Sequence, residues 1–148
     1  MNKQQLSVIN IFVALIVSFS TTLSAKTIPD FAAIEPTAKR QQAFFDYLLP
    51  DVTLANQQIL SDRAIIERLY QRWRNYGQIR RNDAVWVNDI ARFYRINNFS
   101  VNNQTDWQHL LKRVDVVPTS MVLAQAANES AWGTSRFAQQ GANFFGQW

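Results

Sequence analysis

Residues 124–138 read AQAANESAWGTSRFA, and the fold turns on how they are read. Alanine dominates the first half and Gly133 interrupts the run. Glu129 is the only acidic side chain between Val116 and Trp148. Just upstream, Met121 to Ala127 (MVLAQAA) is apolar in six of seven positions, which predicts a helix buried on several sides. Its small alanines allow neighbouring helices to come close. Pro118 suits the opening of this helix, where a missing N–H costs nothing. Gly133 is a natural stop, and Thr134 or Ser135 can cap a short helix through Arg136-Phe137-Ala138.

On a helix at about 100° per residue, Val122, Gln125, Ala126, Glu129, Trp132 and Gly133 share one face. Glu129 then has Trp132 one turn ahead and small or apolar side chains behind. A carboxyl in that setting is expected to be desolvated, which disfavours its charged form and raises its pKa. A carboxyl that keeps its proton near neutrality can donate it to a leaving-group oxygen, the general-acid role in glycoside hydrolysis. Two plainer roles fit the same spacing: an ion pair with Arg136, or a cap on a neighbouring helix.

The rest of the chain also reads as helical. Pro36 can open a helix carrying Ala43, Phe44, Tyr47 and Leu48, and Pro50 is expected to end it. A second helix runs from about Leu54 to Tyr76, with Ile59, Ile65, Ile66, Leu69, Tyr70 and Trp73 recurring at helical spacing and Gly77 as its stop. Asn82 or Asp83 caps a third helix through Tyr94. Asn97 to Gln104 (NNFSVNNQ) is a polar loop. Thr105 caps a fourth helix with Trp107, Leu110, Leu111 and Val114 on one stripe. His109 lies one position before that stripe and reads as a surface or partly packed residue. Residues 26–36, with Pro29, read as a tether.

The first 25 residues differ. Lys3 is their only charged side chain, Ile11 to Phe19 (IFVALIVSF) is almost wholly apolar, and Leu23-Ser24-Ala25 offers a cleavage after Ala25. That is the pattern of a secretory signal. The run falls short of the ~20 apolar residues of a membrane-spanning helix, although an uncleaved signal would leave a membrane tether. The chain of 148 residues is 47% apolar with 19 aromatics, which suits a packed domain of ordinary size. It has no cysteine and one histidine, so neither disulfides nor a zinc site is expected. The net charge of +4 suits an anionic partner such as cell-wall polymer or lipid headgroups. No run of Lys and Arg interleaved with aromatics points to nucleic acid.

The stretch VPTSMVLAQAANESAWGTSRFAQQGANFFGQW, residues 117–148, resembles the opening of the glucosaminidase domain of glycoside hydrolase family 73. Within that family it is most similar to the Bax-type proteins of Gram-negative bacteria. The Pro-initiated helix, the AQAANESAWG block, the SRFA segment and the N-x-FG closing turn carry the likeness. The resemblance implies a mainly α chain. A helical region over 37–115 would precede the start of a lysozyme-like α+β glucosaminidase fold at 116–148, of which only the N-terminal helical part is present.

It also implies an exported enzyme of the periplasm or cell envelope, acting as a monomer on peptidoglycan or another N-acetylglucosamine-containing glycan without metal or cofactor. The family's acid falls on Glu129. Trp132, Asn143, Phe145 and Gln147 become candidates for binding substrate, though Trp132 fits core packing as well, Phe144 and Phe145 fit it better, and Asn143 and Gln147 fit a solvated loop. Gly133 and Gly146 match positions that shape the helix exit and the cleft wall.

The family domain continues past its FG turn into a β-hairpin lobe and further helices that supply a second acidic residue and a tyrosine. Asp106 and Asp115 match no catalytic position of the family. An incomplete domain is therefore the expectation, with retention or inversion left open. Two other functions fit: cleavage like that of a lytic transglycosylase, for which one carboxylate suffices, and a non-catalytic cell-wall-binding helical module.

Overall fold

The computed structural model describes residues 26–147, so the expected signal segment lies outside the described residues. These form one short 3₁₀ turn, Phe31–Ala33, and five helices: α1 (Thr37–Tyr76), α2 (Arg81–Phe93), α3 (Gln104–Arg113), α4 (Thr119–Ser130) and α5 (Arg136–Gly141). The described chain is mainly α, without strands.

The first two predicted helices are one. α1 spans 40 residues with Pro50 inside it and ends at Gly77, whose φ of 68° forms a left-handed cap. A proline removes one hydrogen bond and crowds the preceding turn, yet here both flanks are held. Leu48 and Val52 are buried in the same core, while Pro50 sits exposed. Lys26 Nζ donates to the Tyr47 carbonyl in the turn that Pro50 loosens and pairs with Asp51 at 2.9 Å. Packing on both sides thus outweighs the local penalty.

α1 is roughly 60 Å long at 1.5 Å per residue and serves two cores. Its first half meets α4, α5 and the 3₁₀ turn through Phe44, Leu48, Val52, Leu123, Ala126 and Phe144. Its second half meets α2 and α3 through Ile66, Leu69, Val87, Ala91, Trp107 and Leu110. Trp107 is fully buried, stacks on Tyr70 at 5.7 Å and donates its indole N–H to the Val101 carbonyl at 2.9 Å. Two side chains of α1 fasten the connection between α3 and α4. Arg63 donates to the carbonyls of Leu111 and Val114 at 2.5 and 2.8 Å, and Asn56 donates to that of Val117 at 3.2 Å.

Four further expectations need correction. The segment 26–36 is packed rather than a loose tether. Asp30 caps the 3₁₀ turn by accepting from the N–H groups of Ala32 and Ala33. Phe31 is fully buried, edge-on to Phe44 at 5.6 Å and Tyr47 at 5.8 Å. Burying a phenylalanine is worth about 1.5–3 kcal/mol, enough to hold so short a segment. The cap of α3 is Asn103, which accepts from Thr105 N–H at 2.9 Å, and α2 starts at Arg81 with no side-chain cap. Finally, α4 is buried along one face only, that of Leu123, Ala126, Ala127 and Ser130. Met121, Ala124, Gln125 and Glu129 are exposed, because the alanine-rich face packs on α1 and nothing among the described residues covers the other side. No described helix is long and apolar enough to cross a membrane.

Candidate active site

Glu129 is the penultimate residue of α4, and the backbone leaves that helix by an unusual route. Ala131, Trp132 and Gly133 all have positive φ, at 51°, 59° and 77°. A left-handed conformation costs a non-glycine residue about 1–2 kcal/mol, so Ala131 and Trp132 need support. Ser130 gives it from inside the core. Its hydroxyl donates to the Ala126 carbonyl at 2.6 Å and accepts from Gly133 N–H at 2.9 Å. Trp132 N–H returns to the Ala127 carbonyl at 2.8 Å, and Ser135 N–H to that of Ser130 at 3.0 Å. Thr134 Oγ1 donates to the Ala131 carbonyl at 2.7 Å. Gly133 has no room for a side chain, since a Cβ there would fall 2.4 Å from Cδ2 of Phe31. Over-determined strain of this kind is characteristic of functional sites, and here it fixes the helix end that bears Glu129.

The closing turn then comes back to the carboxylate. Ser135 caps α5 by accepting from Ala138 N–H at 3.2 Å, and Ala138 is buried. Beyond α5, the Asn143 side chain folds residues 143–147 into a closed loop. Its Oδ1 accepts from Gln147 N–H at 2.9 Å and its Nδ2 donates to the Gln147 carbonyl at 2.7 Å. Phe144 anchors the loop in the first core against Phe44 and Tyr47, at 6.0 and 5.8 Å. Gly146, with φ of 62°, is thereby laid against Glu129: a Cβ on it would stand 3.3 Å from Oε2.

The carboxylate itself departs from expectation. Glu129 is exposed, because it lies on the side of α4 turned away from α1, so the described residues supply no apolar pocket around it. It is not paired with Arg136, whose guanidinium lies 5.2 Å from the Phe137 ring, and it caps no helix. The other acidic residues are all engaged. Glu35, Asp51, Glu67, Asp83, Asp89 and Asp115 make ion pairs. Asp30, Asp46, Asp62 and Asp106 accept hydrogen bonds. Of the chain's 11 acidic side chains, Glu129 alone has neither kind of partner among the described residues.

The candidate substrate residues divide. Trp132 is half-buried and turns to α1, edge-on to Phe44 at 5.9 Å and Phe45 at 5.5 Å. Phe145 is half-buried against the same core. Asn143 spends its amide on the loop, and exposed Gln147 supplies the backbone groups that Asn143 holds. Gly146, beside Phe145, lies against Glu129. Helical periodicity could not have shown the roles of Ser130 and Phe31. A serine just inside a glycine stop, and a lone phenylalanine in a short proline-bearing segment, were their only traces. His109 is exposed. No cluster of residues that could hold a metal occurs among the described residues. A shallow depression lined by Arg80, Arg81, Asn82 and Asp83 belongs to the start of α2, in the other half of the molecule.

The sequence model of the glucosaminidase family, described as mannosyl-glycoprotein endo-beta-N-acetylglucosaminidase, matches residues 104–148. The match begins at the first residue of α3 and takes in α4, α5 and the FG turn. Protein bax of Escherichia coli (strain K12) is 34% identical over 123 residues, which is 82% of this chain and 43% of that protein. The chain therefore spans less than half the length of this curated relative. No solved structure matches it. With the family's pattern laid over the helix that bears Glu129 and over the turn that meets it, the chain carries a Bax-type, glucosaminidase-like domain.

Proposed function

We propose that this protein is an exported glycoside hydrolase, an endo-β-N-acetylglucosaminidase that cleaves peptidoglycan in the cell envelope of a Gram-negative bacterium, with Glu129 as its general acid. One observation carries the assignment: the only acidic side chain without a partner among the described residues stands at the end of a strained, tightly braced helix exit, beside the closing turn of the family pattern. Such bracing suits a group that must be held in one place while its carboxyl stays free to react. A glycan lying across the open side of α4 and against Phe145-Gly146 would put a glycosidic oxygen within reach of Glu129. The carboxyl gives its proton to that oxygen as the C–O bond breaks; water then adds to the anomeric carbon and gives up a proton that returns to the Glu129 carboxylate.

A second reading has support of its own. No other free carboxylate exists among the described residues, and a lytic transglycosylase uses one acid while the sugar's own hydroxyl displaces the glycan. The products separate the two, since hydrolysis leaves a reducing end and transglycosylation an anhydro sugar. The test is a peptidoglycan zymogram of the protein and of Glu129→Gln, with mass spectrometry of the released fragments. We expect clearing with reducing-end products by the parent, and none by the variant with its helical circular dichroism intact. Clearing by Glu129→Gln would remove this residue from the mechanism. Binding of peptidoglycan by the parent without release of soluble sugar would make the chain a wall-binding module instead.

A further inference from the structure

Charge is segregated along the described chain. Residues 63–113, which contribute most of the second core, carry ten basic and four acidic side chains, a net +6, whereas the other described residues carry four basic and seven acidic, a net −3. Nine of the ten are arginines. Several are used internally: Arg63 on Glu67 and Asp115, Arg80 on Asp83, Arg92 on Asp89. Arg68, Arg72 and Arg81 are exposed and make no hydrogen bond or ion pair with another side chain among the described residues. Arg68 and Arg72 are one turn apart on α1 and both act electrostatically on Asp83 at the start of α2. Arg80 forks onto that carboxylate at 2.7 and 3.2 Å and, more than the other two, holds it below its ordinary range. Arg81 adjoins, at the depression lined by Arg80 to Asp83. Three guanidinium groups, those of Arg80, Arg72 and Arg68, thus act on one carboxylate, with Arg81 next in the chain to Arg80.

We propose that this arginine cluster is a docking surface for the carboxylate-bearing peptide stems of the cell-wall glycan, distinct from the Glu129 site. The proposal rests on the reading of the chain as a peptidoglycan enzyme. Guanidinium prefers planar two-oxygen acceptors, and the Arg80–Asp83 pair shows that geometry in this very place. A polymer is the favoured occupant because the same chain carries a glucosaminidase-like domain. Phe44, which packs on Trp132, and Arg68 are 24 positions apart on one helix, roughly 36 Å at 1.5 Å per residue. Two contacts so spaced on one strand raise the effective concentration of the second.

The test is sedimentation with purified sacculi, performed in the Glu129→Gln background so that cleavage does not remove the ligand. Reversing the cluster (Arg68→Glu, Arg72→Glu, Arg81→Glu) should weaken binding at least tenfold with unchanged circular dichroism. The corresponding Arg→Lys triple should keep part of it. Added salt and carbodiimide amidation of the sacculi should each weaken the parent. Unchanged binding by the Glu triple, or by amidated sacculi, would overturn the proposal. So would loss of binding to phosphatidylglycerol vesicles alone, which would make the cluster a membrane contact. Because binding is read without cleavage, failure of the Glu129 assignment leaves this result unaffected.

Discussion

At the residue scale, the site depends on what is missing as much as on what is present. Gly146 has no side chain where one would press on Glu129, and Gly133 has none where one would strike Phe31. Gly146→Ala tests the first. A Cβ at 3.3 Å from Oε2 is tight, and a positive φ adds about 1–2 kcal/mol of strain for a non-glycine residue. The variant should therefore lose about that much stability in a urea melt, and it should clear peptidoglycan more weakly as carboxylate and turn are pushed apart. Full activity with lowered stability would separate the turn from the chemistry. The identity of Glu129 as the odd carboxyl was legible in the sequence, because no other acid occurs from Val116 onward. Its exposure was not legible. Helical spacing tells which residues share a face, but only the packing partner tells which face is covered.

At the element scale, the helical character of the chain and most of its punctuation could be read directly. Gly77 ends α1 and Ser135 caps α5, as their chemistry predicts. Pro50 misled, because its local penalty was set against no knowledge of the two cores that α1 serves. That penalty should still be measurable. Pro50 is exposed in an unbroken helix, so Pro50→Ala restores an N–H within the helix and removes the ring. A proline in a helix interior costs up to about 3 kcal/mol relative to alanine. Part of this is offset by the freedom alanine restores to the unfolded chain, so we expect a gain of about 1–2 kcal/mol and a higher midpoint of thermal unfolding. A loss of stability would mean that the helix is shaped around the proline, with the Lys26 contact to Tyr47 depending on the distortion. The left-handed pair Ala131-Trp132 had no comparable signal, since neither residue type favours positive φ. It exists because Ser130 and Phe31 hold it there.

At the scale of the whole molecule, the two cores share α1 and little else. Apart from that helix they are joined by residues 114–118, which Arg63 and Asn56 fasten to α1. This arrangement predicts two units of local stability. Leu110 is fully buried in the second core, and truncating a buried leucine to alanine costs about 2–5 kcal/mol. In Leu110→Ala, hydrogen exchange should quicken in α2, α3 and the second half of α1, while the amides of α4, whose contacts lie in the first core, keep most of their protection. Equal loss in α4 would show that α1 transmits the damage along its length and that the molecule opens as one unit. The distinction bears on function. If the second core opens alone, the arginine cluster it carries can loosen while the brace around Glu129 stays closed, so that grip on a polymer and the geometry of the acid are set by separate parts of one chain.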